Sequence, residues 1–319
     1  MRIPHLQSNA ADCLFELVHK GMPTLAKLEL LICTRIVENI SGIPIALDNE
    51  DASMSMASLV DILGCTLIDI WCDVRNSMPE QANQTKTLLE SVMSMVWPIL
   101  MHLNYDVSGT ILTFLSQIFD LLKKDIIKQK RALKMNAASG DIDLTVEDAL
   151  GTRNLIPQLL QCISSRAQYP ESYLFDSSIG DDVPFDRYRH SLQKLFVVVC
   201  KVDMNTVIAF INKLFYTTTP VDSLHLIPAS QCELMITMLI WMGEGYSPQQ
   251  LKQAVQGGPF SDLIRKVLSS MVFEHPHFSP VLQYMELMVR YSSVVSNVPD
   301  CSQLTNHILT AMVQVTFIL

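Results

Sequence analysis

Residues 107–122 read Val-Ser-Gly-Thr-Ile-Leu-Thr-Phe-Leu-Ser-Gln-Ile-Phe-Asp-Leu-Leu. Val107, Ile111, Leu115, Ile118 and Leu122 recur at steps of three and four residues, which places them on one face of an α-helix. The same period returns at Leu192, Leu195, Phe196 and Val199, and at Val207, Ile211, Leu214 and Phe215. Leu234, Met238, Leu239 and Met242 repeat it, as do Val281, Met285, Met288 and Val289. No sustained two-residue alternation closed by an Asn-Gly or Asp-Gly turn accompanies these runs, so no β-hairpin is predicted.

Local punctuation agrees with helices. Pro23, Pro184, Pro228, Pro248 and Pro280 stand near the starts of periodic runs, where a missing N–H does no harm. Asp106, Asp203 and Ser247 are predicted N-caps. Gly21 and Gly243 are predicted to end the runs before them. Helices are predicted over 8–20, 24–40, 52–77, 80–103, 107–134, 146–167, 184–201, 204–217, 228–243, 248–256, 259–273, 277–295 and 302–319. Successive helices with short links, at roughly 40 residues per pair, predict an all-α fold. The specific expectation is an α-solenoid of HEAT-like antiparallel helix pairs, a single segment over 1–319 with about six to seven pairs. A globular all-α bundle is the alternative. Loops are predicted near 135–145 and 168–184.

Composition narrows the function classes. Of 319 residues, 49% are apolar and 17% charged, which suits a large core and excludes a disordered acidic chain. The formal net charge of −9 is unlike that of a freestanding nucleic-acid-binding domain, so RNA contact would need a local basic patch or a partner. Cys13, Cys33, Cys65, Cys72, Cys162, Cys200, Cys232 and Cys301 form no C-x-x-C pair and are expected to be reduced, mostly on apolar helix faces. The start, Met1–Asn9, has no signal-like apolar run. Leu59–Trp71 carries Asp61 and Asp69 and reads as too short and too charged to span a bilayer, so no membrane insertion is expected. The apolar end, Ala311–Leu319, is expected to be a truncation or a repeat without its neighbour.

The sequence lacks the motifs of common enzyme classes. It has no G-x-x-x-x-G-K, no G-x-G-x-x-G, no H-E-x-x-H and no G-x-S-x-G. No catalytic residue, metal ligand set or cofactor is predicted. His275-Pro276-His277 reads as a pair of loop histidines at a helix start. Asp61 and Asp69 lie about 12 Å apart along a helix, too far for a glycosidase-like pair, and read as a solvated face. The strongest candidate is basic: Lys123, Lys124, Lys128, Lys130, Arg131 and Lys134 crowd the end of one predicted helix. Lys124, Lys128 and Arg131 share a face and could neutralise phosphates. The same lysines also suit the negative end of a helix dipole in water, and the sequence leaves both readings open.

Two stretches carry a family likeness. Ala10-Ala11-Asp12-Cys13-Leu14-Phe15-Glu16, followed by Lys20-Gly21-Met22, resembles a characteristic run of the exportin-T family, the tRNA exportins of the importin-β superfamily. Phe185-Asp186-Arg187-Tyr188-Arg189, running into Leu192-Gln193-Lys194-Leu195, resembles that family's F-x-x-Y-R-x-x-L-x-x-L helix after an acidic loop. The order of helices between them agrees, so the likeness covers most of the chain and roughly the middle third of a full receptor. Lys130–Arg153 departs from the pattern. The resemblance implies a non-enzymatic receptor that binds tRNA and RanGTP together, meets nuclear pore proteins, and shuttles between nucleus and cytoplasm. It also implies that the main Ran-binding repeats lie upstream. Within this reading the acidic loop residues Asp176, Asp181 and Asp182 are expected to meet a basic partner such as Ran. A karyopherin for protein cargo and a HEAT scaffold outside transport are the alternatives.

Overall fold

The computed structural model describes residues 7–19, 21–43, 45, 49–136, 148–170, 173, 182–218, 221–295, 306 and 309. Among them every regular element is a helix. In chain order these are α1 (Gln7–His19), α2 (Thr24–Thr34), α3 (Ile36–Ser41), α4 (Glu50–Val74), α5 (Pro79–Leu100), α6 (Tyr105–Thr110) and α7 (Leu112–Asn136). Then come α8 (Ile156–Ala167), α9 (Asp182–Val202), α10 (Met204–Thr218), α11 (Ala229–Glu244), α12 (Pro248–Gln256), α13 (Pro259–Leu268), α14 (Phe278–Arg290) and α15 (Ser292–Val295). The fold is the all-α, HEAT-like kind predicted.

By contact the chain divides into two compact units, Met1–Arg153 with Pro184–Leu195, and Asn154–Val183 with Phe196–Leu319. Two of the boundaries fall inside α9, and the third lies between Arg153 and Asn154, ahead of α8.

Each unit is organised by a central helix. In the first it is α4, which packs against α1, α2, α5, α6 and α7. Asn49 starts it: its side-chain oxygen accepts the Ala52 N–H at 3.0 Å, and Glu50 and Asp51 suit the positive first turn. Leu59, Val60, Leu63, Leu67 and Ile70 are fully buried. Gly64 is required by packing, since a Cβ there would meet the Phe114 ring at 2.5 Å. The apolar stretch Leu59–Trp71 therefore belongs to a 25-residue helix, long and apolar enough to cross a membrane. Helices on several sides of it, and its largely buried surface, make it the core helix of its unit.

In the second unit the centre is α11, packed against α8, α10 and α14. Every residue from Cys232 to Gly243 is buried. The sequence suggested one apolar stripe there, but neighbours on several sides bury the helix all round. Glu233 is inside this core, where it accepts the Thr237 hydroxyl at 2.7 Å.

Several expectations change. The helix predicted over 24–40 breaks at Arg35, which takes the left-handed conformation (φ 48°) and donates its N–H to Ile32. The helix predicted over 107–134 starts earlier and breaks at Ile111. Its cap is Asn104, which accepts from Asp106 N–H at 2.8 Å and Val107 N–H at 3.4 Å, so Asp106 is a first-turn acid and not the cap. The helix predicted from 146 starts at the 3-10 turn Thr152–Leu155. Ahead of it Gly151 has φ +66°, and the Asp148 carboxylate takes the Arg153 N–H at 2.7 Å. Helix 259–273 stops at Leu268, and 277–295 divides at Tyr291. Gly243 does not end α11; it lies inside, where its missing side chain makes room for the Tyr291 hydroxyl. The predicted loop at 135–145 begins late, because Met135 and Asn136 are helical, and that at 168–184 ends early, at Asp182. The rest of 137–147 and most of 302–319 lie outside the described residues.

Other readings hold. Asp203 caps α10 through the Thr206 N–H at 3.1 Å. Ser247 and Gln250 form a reciprocal capping box on α12. Among the described cysteines, Cys162, Cys200 and Cys232 are buried, but Cys13, Cys33 and Cys72 are exposed, against the expectation that most would pack on apolar faces.

Candidate nucleic-acid interface

The basic candidates ride on α7, and its packing decides which of them face water. Leu115, Ile118, Phe119, Leu122 and Ile126 are buried, so the opposite face is turned out. Lys124, Lys128 and Arg131 are all exposed on it. They span about 10.5 Å of helix rise, with Lys124 and Lys128 about 6 Å apart. Ile127, 40% exposed, lies between them in sequence. Among the described residues no carboxylate pairs with Lys124, Lys128 or Arg131.

Lys123 differs. It is half-buried and lies 3.4 Å from Asp120, one turn back on the same helix. Lys130 and Lys134 belong to α7, but their side chains lie outside the described ones. Asp176 and Asp181 also lie outside the described residues, and Asp182 opens α9.

Sequence reasoning missed what holds the other carboxylate of α7. Asp125 accepts two bonds from Arg75, at 2.6 Å from Nη1 and 3.0 Å from Nη2. The partners are 50 residues apart, so no local pattern announces them.

Asp61 is not on a solvated face. It is half-buried on α4 and accepts the Phe114 N–H at 2.9 Å, satisfying a first-turn donor of α7. Burial raises its pKa to about 6, and the Phe114 bond opposes that rise. Asp69 is exposed as expected.

Among the described residues nothing else converges into a reactive site. Among the described residues no three His, Cys, Asp or Glu side chains approach as metal ligands would. His275 is buried and bound to backbone: it accepts the His277 N–H at Nδ1, so its Nε2 donates to the Ile227 carbonyl at 3.0 Å. His277 in turn caps α14 by accepting the Ser279 N–H. Burial raises the Cys65 and Cys232 thiols to about 12, far from thiolate reactivity. An open groove of about 460 Å³ between α8 and α10 has Lys213 as the one ionisable side chain among the described residues of its lining.

The helix behind the second likeness is a packing device. Phe185, Tyr188, Arg189, Leu192 and Leu195 are the buried face of α9. Tyr188 stacks on Tyr105 with centroids 5.5 Å apart, and its hydroxyl meets Ser108 Oγ at 2.5 Å. Ser108 also donates to the Leu100 carbonyl.

The sequence model of the Exportin-T family matches residues 79–318. The chain belongs to the exportin-T family. Among relatives, Exportin-T of Danio rerio is 24% identical over 298 residues, covering 91% of this chain and 29% of its own length. Exportin-T of Mus musculus is 22% identical over 309 residues, and that of Homo sapiens 23% over 308, each covering 94% of this chain and 30% of the relative. The chain therefore spans about 30% of the length of the exportin-T relatives it matches. The Phe185–Leu195 helix and the whole α7 stripe fall inside the family match, while Ala10–Met22 and Arg75 precede it.

Proposed function

We propose that this chain is a segment of a tRNA export receptor of the karyopherin type. In this reading the receptor takes tRNA together with RanGTP in the nucleus, meets nuclear pore proteins in transit, and releases tRNA in the cytoplasm. It works by binding alone, with no catalytic step and no cofactor. The reading of 1–319 as one run of HEAT-like pairs belongs to the same proposal. The observation that supports it most is the exportin-T family match over 79–318, which contains an exposed cationic helix face.

The physics of the interface follows from charge. A chain of net charge −9 repels a polyanion on average, so RNA must be met locally. Lys124, Lys128 and Arg131 supply such a place, and Lys123, Lys130 and Lys134 belong to the same helix. Long cationic side chains on one helix face suit phosphates and ribose, as recognition of an A-form duplex requires. Asp176, Asp181 and Asp182 are proposed to meet a basic surface of Ran. A second ligand that also binds the receptor would offset the overall repulsion.

The test is retention of labelled tRNA by the full-length protein with and without RanGTP. Retention that depends on RanGTP is expected, and equal retention without it overturns the reading. The triple variant K124E/K128E/R131E is expected to lose at least tenfold in retention while keeping its helical content. Capture of basic proteins with no tRNA would favour a protein-cargo receptor.

A further inference from the structure

α7 carries two carboxylates beside its cationic face, Asp120 and Asp125, and each is already engaged. Asp120 holds Lys123. Asp125 receives two N–H groups of Arg75 in a fork-on-carboxylate pair. Arg75 is the residue that closes α4. The two side chains are only 23% and 26% exposed, so water screens this pair less than it would a surface pair.

Sequence spacing gives the clamp a consequence. Asp125 and Lys128 are three residues apart on one helix, with the acid on the N-terminal side. That is the favourable order for a helical ion pair. A carboxylate at 125 without Arg75 would therefore turn to Lys128 and quench the middle cation of the exposed face. The surroundings add to this. Asp69 and Asp73 are exposed near the end of α4. Cys72 is exposed, yet partial desolvation raises its thiol, and the charges of Arg75, Asp69, Asp125 and Asp73 act on it too, so these groups share one corner.

We propose that Arg75 is a positioning residue for the nucleic-acid interface: by clamping Asp125 it keeps Lys128 available to an RNA phosphate. This rests on the reading of the α7 face as RNA-facing. Arg75 itself touches no RNA in this scheme.

The experiment measures tRNA affinity of the full-length protein with RanGTP across salt from about 50 to about 200 mM. R75A is expected to bind about threefold more weakly at low salt, with a log–log salt slope shallower by about 1, the signature of one lost phosphate contact. R75A/D125N is expected to recover both values, because the competing carboxylate is gone. A double variant as weak as R75A overturns the proposal, since Arg75 would then act by direct contact or by holding the fold. An unchanged slope in R75A overturns it as well. D125N alone is expected to bind at least as tightly as the parent, and a loss there sinks the idea even if R75A fails to fold. Should K124E/K128E/R131E weaken retention while R75A does not, only the role of Arg75 falls; should neither matter, the reading of the face falls with it.

Discussion

Asp61 accepts a first-turn N–H of α7 while half of it is out of water, and the two effects pull its acidity in opposite directions. Desolvation wins, leaving a pKa of about 6 against 3.8 for the free group. The folded state therefore holds this proton more tightly than the unfolded chain. Below about pH 4 the stabilising effect of that proton is fully present, and it is lost as pH rises through about 6. At neutral pH the ionised carboxylate is a net cost, on the order of 1–3 kcal/mol. Asn at 61 keeps an oxygen for Phe114 N–H and removes the charge. D61N is expected to raise stability at pH 7 by about that amount and to flatten the pH dependence between about 4 and 6, measured by urea unfolding. A D61N variant that loses stability relative to the parent at pH 7, and not at pH 4, would show that the Phe114 bond outweighs burial. Gly243 makes a simpler residue-scale case. A methyl there runs into the Tyr291 hydroxyl, which itself donates to the Ile240 carbonyl at 3.4 Å. G243A is expected to cost about 1–3 kcal/mol through overpacking, read as a lower thermal midpoint.

Arg35 breaks α2 from α3 with a positive φ that L-residues adopt at a cost of about 1 kcal/mol. Its side chain adds little, since the contact with Glu38 is 4.0 Å long and both groups are mostly in water. R35G should therefore stabilise this corner by about 0.5 kcal/mol, because glycine relieves the strain but loses more chain entropy. A lower melting temperature for R35G would mean that the Arg35 side chain holds something essential. This break shows the boundary of what sequence can tell. The pattern over 107–122 was legible because one face of α7 is buried and the reverse is not, and the same logic exposed Lys124, Lys128 and Arg131. The breaks at Arg35 and Ile111 were not legible, since both residue types are ordinary in a helix. Burial of α11 on all sides was masked by a weak stripe in a sequence that is apolar throughout. The partners of Asp61 and Asp125 lie 53 and 50 residues away in sequence, and only the packing of α4 against α7 brings them near. So the exposed cations of α7 could be read from the chain, while the partners of Asp61 and Asp125 could not. Of the two stretches that carry the family likeness, the second runs through Phe185, Tyr188 and Leu192, which are core residues, and so that stretch speaks for the fold.

At the scale of the whole molecule, charge sets the problem that the proposed tRNA receptor must solve. With 32 acidic against 23 basic side chains, the long-range field opposes RNA, and only short-range contact at a cationic face favours it. Screening within about 10 Å at 0.1 M salt confines that contest to the immediate surface. A modest intrinsic affinity is the expected result, and a second ligand that favours the same receptor state would raise it. Thermodynamic linkage then makes a strict demand. If RanGTP tightens tRNA binding to the full-length receptor by some factor, tRNA must tighten RanGTP binding by that same factor. Coupling of about 1–3 kcal/mol, or roughly 5- to 150-fold, is the usual range for such systems. Both arms can be measured by titration calorimetry or fluorescence anisotropy, each ligand in the absence and presence of saturating partner. Equal factors well above unity are expected. On the proposed reading, in which the face meets RNA and not Ran, K124E/K128E/R131E should lower tRNA affinity in both the presence and absence of RanGTP and leave the affinity for RanGTP alone unchanged. A variant that also weakens RanGTP alone would place the face at the protein partner instead, and a coupling factor of one would remove cooperative export from this chain's repertoire.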